Sequence, residues 1–217
     1  MALAFFDLDN TLVKGDTAQA FSEYLAASAL PTADDFLAVN EKYMEEYDDG
    51  TLNLEAYMHY TLAPLFTLDR VKVGALIRDF IDTVVSTMIP DSTHTLLAKH
   101  KDAGDDIVII SATGIHLVEP ITKYLGVEYA LGVNIEIIDD YITGKLIGIP
   151  TFREGKVIHA EQWAKDHGYK LEEAYFYSDS HNDLPLLEKV GYPVAVGPDP
   201  VLKKVAEEKN WPIVKIG

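Results

Sequence analysis

The stretch Ala2-Leu3-Ala4-Phe5-Phe6-Asp7-Leu8-Asp9-Asn10-Thr11 decides how the rest of the chain is read. A short apolar run that ends abruptly in carboxylates reads as a buried strand delivering polar groups into a loop. The texture then turns helical. Asp16-Thr17-Ala18-Gln19 has the form of an N-cap with Gln three residues on, ahead of the stripe Phe21, Tyr24 and Leu25. Thr32 to Asp35, and then Asn53, are further N-cap candidates, each followed by apolar residues at helical spacing: Phe36, Val39 and Tyr43, then Tyr57, Tyr60 and Leu62. Gly50, Pro64 and Pro90 punctuate this region, which is expected to hold about four helices and no strand.

Beyond Pro90 helix and strand alternate. Leu96 and Leu97 lie on a helix with Gly104 as its terminator, Ile107 to Ile110 is a buried strand, and Ser111-Ala112-Thr113-Gly114 follows it. A helix from Ile115 to Leu125 closes at Gly126, and Ile135 to Ile149 reads as a two-stranded excursion turning at Asp139-Asp140. A helix over 155–167, strands at Ala174–Tyr177, Pro193–Val196 and Pro212–Val214, and helices around 183–190 and 199–209 complete the pattern. The expected fold class is α/β: a Rossmann-like three-layer sandwich with a mainly parallel central sheet, plus a helical cap inserted after the first strand. Residues 1–13 and 89–217 are expected to form the core domain and 14–88 the cap domain.

Composition narrows the function. Of 217 residues, 18 are Lys or Arg and 35 are Asp or Glu, for a net charge of −17. That opposes a nucleic-acid partner, which needs clustered cations. With 48% apolar residues there is ample material for a core, yet no run is long enough to span a bilayer and no basic leader precedes Asp7, so a cytoplasmic location away from membranes is expected. Cysteine is absent, which excludes disulfides, thiolate metal sites and thiol nucleophiles.

In a parallel sheet, ligands bind beyond the carboxyl ends of the strands. Polar residues collect there: Asp7-Leu8-Asp9-Asn10-Thr11, Ser111-Ala112-Thr113-Gly114, and Ser178-Asp179-Ser180-His181-Asn182-Asp183, with Lys156 opening the helix before the last. Two acidic clusters, a hydroxyl and a lysine are the parts of a magnesium-dependent phosphoryl-transfer site. Each residue also has an ordinary use: turn residues at Asp7 and Asp9, helix caps at Ser111 and Asp179, a first-turn acid at Asp183, a solvated lysine at 156. The tyrosines at 43, 47, 57 and 60 read as cap core more than substrate cradle.

The set resembles the haloacid dehalogenase superfamily, with its Asp-x-Asp-x-Thr motif at Asp7, Asp9 and Thr11, its second motif at Ser111, its third at Lys156 and its fourth at Asp179 and Asp183. The helical insertion between the first two motifs is similar to that of the phosphoserine-phosphatase-like branch, which includes histidinol-phosphate phosphatases. The resemblance implies Asp7 as nucleophile forming an aspartyl-phosphate, Asp9 as general acid and base, and Lys156 as charge neutraliser. It implies Mg²⁺ held by Asp7, the Asp9 carbonyl and Asp179, with Asp183 holding a metal water or orienting Lys156. Phosphate would be bound by Ser111, the amides of Ala112 and Thr113, Lys156 and Asn182.

For the leaving group, Asp16 stands where that branch carries an ammonium-binding carboxylate, with Glu45 and Glu46 as further candidates. The branch's arginine clamp for a substrate carboxylate falls near His59 and Tyr60, so the clamp is missing here. A small phosphorylated amino alcohol such as histidinol phosphate therefore fits better than phosphoserine. The expected partner is a small phosphorylated metabolite, with no nucleic acid and no membrane; His181 has no assigned role and the oligomeric state is open. Rival readings are phosphoserine phosphatase, a phosphotransferase using the same intermediate, a receiver-like domain, and a non-enzymatic scaffold.

Overall fold

Along the chain, β1 (Leu3–Phe6) is followed by α1 (Thr17–Ala27), α2 (Phe36–Asp48), α3 (Leu54–Leu62) and α4 (Arg70–Phe80), which continues through a π turn (Ile81–Val85) into α5 (Ser86–Met88). Next come α6 (Asp91–Ala103), β2 (Asp106–Gly114), α7 (Ile115–Tyr124), β3 (Tyr129–Val133), β4 (Ile135–Ile138) and β5 (Tyr141–Leu146). Finally α8 (Glu154–Asp166), β6 (Tyr175–Ser178), α9 (Leu184–Leu187), β7 (Tyr192–Val196), α10 (Pro200–Lys209) and β8 (Ile213–Val214) complete the order. The computed structural model describes residues 2–215.

Six strands form one parallel sheet in the order β3-β2-β1-β6-β7-β8. Strand periodicity divides the core between its two faces. Leu3, Phe5, Val108, Ile110 and Phe176 pack with Trp163 of α8, Leu187 of α9 and Leu202 of α10. Ala4, Phe6, Ile107, Ile109 and Tyr177 point the other way, toward Leu97 of α6 and Val118 of α7. That second cluster runs on without a break into Phe21, Phe36, Tyr57 and Phe80 of the helical insertion. The result is the three-layer α/β architecture expected, with helices α1 to α4 inserted after β1.

Local sequence explains most element ends. Asp16 caps α1 through Gln19 N at 2.8 Å, and Asn53 caps α3 through Ala56 N at 3.0 Å. Asp35 precedes α2 without capping it, because its Oδ1 accepts from Tyr60 Oη instead, at 3.2 Å. The β4–β5 hairpin turns through Asp139 and Asp140, both with positive φ, as two-residue hairpins favour. This hairpin reaches the helical insertion: Arg70 N donates to Asp140 O at 2.9 Å, and Asp69 bridges to Tyr141.

Three expectations are corrected. The strand at 107–110 extends to Gly114, with a register shift after Ile110, so Ser111 to Thr113 belong to its C-terminal extension. An edge strand, β3, occupies 129–133 where none was expected. Its Gly132 lies so close to the Ser111 segment that a Cβ there would sit 3.0 Å from Thr113 O. The helix expected around 183–190 is a 3₁₀ turn (His181–Asp183) followed by only one turn of α-helix.

Candidate active site

β2, β1 and β6 are neighbours in the sheet, so the acidic loop after β1, the Ser111 segment and the Ser178–Asp183 loop meet at one carboxyl edge, where the chain order departs from β1 in both directions. They form the floor of a cavity of about 510 Å³, which α1 to α3 roof with Ala18, Met44, Leu54 and Tyr57. That volume suits a small metabolite.

Lys156 lies buried beneath the floor, against Asp7. Only 2% exposed, its Nζ donates to Asp7 Oδ1 and to Asp183 Oδ2, each at 2.7 Å. It reaches this place because Gly155 passes so close to Pro150 that any Cβ would lie 1.8 Å from its carbonyl oxygen. Burial alone would lower the Lys156 pKa; the carboxylates of Asp183 and Asp7 outweigh it and hold the ammonium charged. Asp7 is raised well above the ordinary carboxylate range, by burial first, with Lys156 offsetting in part and Asp183, Asp179 and Asp9 adding repulsion. Asp179 is pushed up to about 7 by burial and by Asp183, against the opposing hydrogen bond from Thr11 Oγ1 at 3.2 Å. One lysine therefore faces more buried carboxylates than it can neutralise.

Asp9 accepts four hydrogen bonds. Thr17 N and Thr17 Oγ1 donate to Oδ1 at 2.6 Å each, while Thr113 Oγ1 and Ser111 Oγ donate to Oδ2 at 2.8 and 3.2 Å. The two hydroxyls on Oδ2 can turn to accept, so that oxygen can be served with or without a proton. Thr17 begins α1, so the helical insertion itself orients this carboxylate.

The other expected residues divide. Ser111, Ala112, Thr113, Asp179 and Asp16 line the cavity with Asp7 and Asp9. The Thr113 amide donates to Ser111 Oγ at 3.0 Å. Asp183 Oδ2 is engaged by Lys156 and by Ser178 Oγ at 2.7 Å, which makes it a partner of the lysine behind the cavity wall. Asn182 is also behind the wall: its Oδ1 accepts from Arg153 Nε at 3.0 Å and its Nδ2 donates to Tyr47 O at 3.2 Å. Glu45 is exposed and Glu46 half-buried, and neither lines the cavity. The tyrosine stripe splits, with Tyr43 packed on Tyr57 and Tyr60 while Tyr47 and Tyr57 reach the cavity.

Several site residues escaped the sequence reading. Thr17 could have been suspected as a polar residue right after an N-cap, but nothing local points Ser178 at Asp183. Arg153, with φ of 51°, links the segment before α8 to the Ser178–Asp183 loop through Asn182, and its guanidinium lies against Gly50 at the end of α2. Thr151 Oγ1 ties the same segment to Ser111 O at 2.5 Å. His181 and Asp199 form a hydrogen-bonded pair on the cavity wall, 2.9 Å from Nδ1 to Oδ2. Among the described lining residues there is no lysine and no arginine.

The chain is 38% identical over 216 residues to a histidinol-phosphatase of Neisseria meningitidis serogroup C (strain 8013), covering 98% of this chain and 97% of the relative. A phosphoserine phosphatase of Mycobacterium tuberculosis (strain ATCC 25618 / H37Rv) is 35% identical over 215 residues, 98% of this chain and 70% of that protein. A solved structure of a protein of unknown function from Bordetella pertussis Tohama I aligns with a TM-score of 0.89 at 33% identity, covering 98% of this chain and 97% of that one. The family model of the haloacid dehalogenase-like hydrolases matches residues 4–188, and the chain belongs to that family.

Proposed function

We propose that the protein is a magnesium-dependent phosphatase that hydrolyses a small phosphomonoester of an amino alcohol, of which histidinol phosphate is the best candidate. Asp7 Oδ1 is held by Lys156, and no described residue donates to Oδ2, which is the oxygen that attacks phosphorus to give the aspartyl-phosphate. Lys156 lessens repulsion between the incoming phosphate and Asp7. Asp9 Oδ2 donates a proton to the departing alkoxide and takes one from the attacking water in the second half. Ser111 Oγ and the Ala112 amide bind phosphoryl oxygens beside it.

The donor chemistry suits a hard divalent cation. Among the described residues no three His, Asp or Glu side chains form a ready-made cage. Two crowded carboxylates, Asp7 and Asp179, with the Asp9 carbonyl match an ion that keeps several waters. Mg²⁺ bound there would neutralise the surplus negative charge that Lys156 alone leaves and make the phosphorus easier to attack.

The observation that carries the leaving-group reading is the lining: Asp16 and Asp199 on the walls, apolar side chains above, and, among the described residues, no lysine or arginine to meet a substrate carboxylate. The similarity to the Neisseria histidinol-phosphatase supports it, and the Mycobacterium phosphoserine phosphatase sets the competing substrate. The test is steady-state hydrolysis of histidinol phosphate and O-phosphoserine with Mg²⁺, with EDTA, and with Asp7→Asn. Higher kcat/KM on histidinol phosphate, abolished by either control, is expected. Preference for phosphoserine would refute the leaving-group reading; turnover surviving both controls would refute the mechanism. Transfer of the phosphoryl group to glycerol in place of water would make the enzyme a phosphotransferase.

A further inference from the structure

We propose that His181 recognises the leaving group, its Nε2 accepting a hydrogen bond from the ammonium group of the substrate, and that Asp199 is the positioning residue that aims it. This rests on the amine-bearing substrate proposed above and deepens it.

The imidazole is fixed from two elements that lie far apart in the chain. Asp199 Oδ1 accepts from Val201 N and Leu202 N at 2.8 Å each, capping α10. Its Oδ2 accepts from His181 N at 2.5 Å and meets His181 Nδ1 at 2.9 Å. A carboxylate serving three backbone N–H donors has no proton to give, so Nδ1 carries a hydrogen and, in the neutral ring, Nε2 carries the lone pair. The 3₁₀ turn that bears His181 is itself capped by Ser180 Oγ through Asn182 N at 3.2 Å. Ring direction and tautomer are both specified before any ligand arrives, which limits the entropy lost on binding.

Nε2 has no hydrogen-bond partner among the described residues, and the side chain, 29% exposed, lines the same cavity as Asp7, Asp9 and Asp16. A cavity walled by the carboxylates of Asp9, Asp16 and Asp199, with no lysine or arginine among the described lining residues, favours a cationic ligand that brings donors, and an ammonium brings three. At phosphorus, proton transfer is already filled by Asp9 and charge neutralisation by Lys156, so His181 is assigned to the organic end of the substrate. A leaving group without the ammonium would leave that acceptor unpaired, and the difference is read as selectivity.

The experiment compares kcat/KM for L-histidinol phosphate and for its des-amino analogue, the same imidazolylpropyl phosphate lacking the ammonium group. The proteins are the wild type, His181→Ala, His181→Gln, Asp199→Asn and, as a control, the exposed His94→Ala. His181→Ala is expected to lower the amine-to-des-amino ratio by about tenfold, through KM more than kcat. His181→Gln, whose amide oxygen can still accept, retains more of the ratio than His181→Ala. Asp199→Asn, which keeps a good N-cap residue on α10, loses an intermediate part of it. His94→Ala leaves the ratio at the wild-type value.

A ratio unchanged in His181→Ala, equal losses on both substrates, or a loss confined to kcat would overturn the inference while leaving the proposed function intact. A wild type without preference for the amine would overturn both. Were His181→Ala unable to fold, His181→Gln and Asp199→Asn carry the same comparison.

Discussion

The floor and the roof of the cavity are built by different rules. The floor is a set of short, mostly buried side chains at the ends of β1, β2 and β6, each engaged by at least one neighbour: Lys156 on Asp7 and Asp183, Ser178 on Asp183, Thr11 on Asp179, and Ser111 with Thr113 on Asp9. The roof comes from helices that touch the floor through few polar links, chiefly Thr17 to Asp9 and Tyr47 O to Asn182. On the proposed function, chemistry would be carried by the sheet edge, and leaving-group choice by the apolar cover and the His181–Asp199 wall. Loss of a floor contact should damage turnover, whereas loss of a roof contact should shift substrate affinity.

The largest expected effect is on the floor. Lys156→Met leaves Asp7 and Asp183 facing each other in a buried site, so kcat/KM should fall by about 10²–10³-fold. Removing one partner of such a buried pair should also cost about 3–5 kcal/mol of stability. Steady-state kinetics and urea unfolding measure the two; near-wild-type turnover would break the distinction between floor and roof.

At the joint, His116 of α7 lies beside Phe21 of α1 with both ring nitrogens unpartnered, and burial lowers its pKa from 6.5 to about 4. Because the native state resists protonation that the unfolded chain accepts, stability should fall as pH drops from about 6.5 toward 4, by at most about 3 kcal/mol. His116→Leu should flatten that slope, measured by denaturant unfolding at pH 7, 5.5 and 4.5. An unchanged slope would mean that the joint opens without exposing this ring.

Smaller effects are expected from the links themselves. Thr17→Val keeps the backbone N–H on Asp9 and removes the hydroxyl, so kcat should fall about tenfold with KM nearly unchanged. Arg153→Ala releases Asn182 and the contact with Gly50, and should raise KM about threefold with a lesser change in kcat. If Thr17→Val acted on KM and Arg153→Ala on kcat, the two links would have exchanged roles.

Much of the floor was legible because it is local. An apolar run ending in Asp-Leu-Asp, a second run ending in Ser-Ala-Thr-Gly and a third ending in Ser-Asp-Ser each announce both a strand and its polar terminus, and parallel topology brings such termini together. The Asp-Asp turn of the β4–β5 hairpin and the caps at Asp16 and Asn53 were legible for the same reason.

What escaped depends on contacts between segments. Tyr129-Ala130-Leu131-Gly132-Val133 carries no strong strand pattern, and its glycine is there for a close approach to Thr113 and Ile115 that only the fold creates. Asp199 caps α10 ahead of Pro200, yet nothing in the local sequence joins it to His181 eighteen residues earlier. Glu45 and Glu46 stand out by charge and helix position, but the face of α2 that carries Met44 and Tyr47 is the one turned toward the cavity. Asn182 was expected on phosphate, but its amide bridges Arg153 and the end of α2.

The central claim is that Asp7 becomes phosphorylated, and borohydride trapping tests it most directly. Enzyme mixed with histidinol phosphate and Mg²⁺, quenched in acid and reduced with borohydride, is digested and sequenced by mass spectrometry. The account predicts homoserine at position 7 in a substrate-dependent amount, and none when substrate or Mg²⁺ is omitted. Turnover without any modification at Asp7, or with the modification at Asp9 or Asp179, would contradict it.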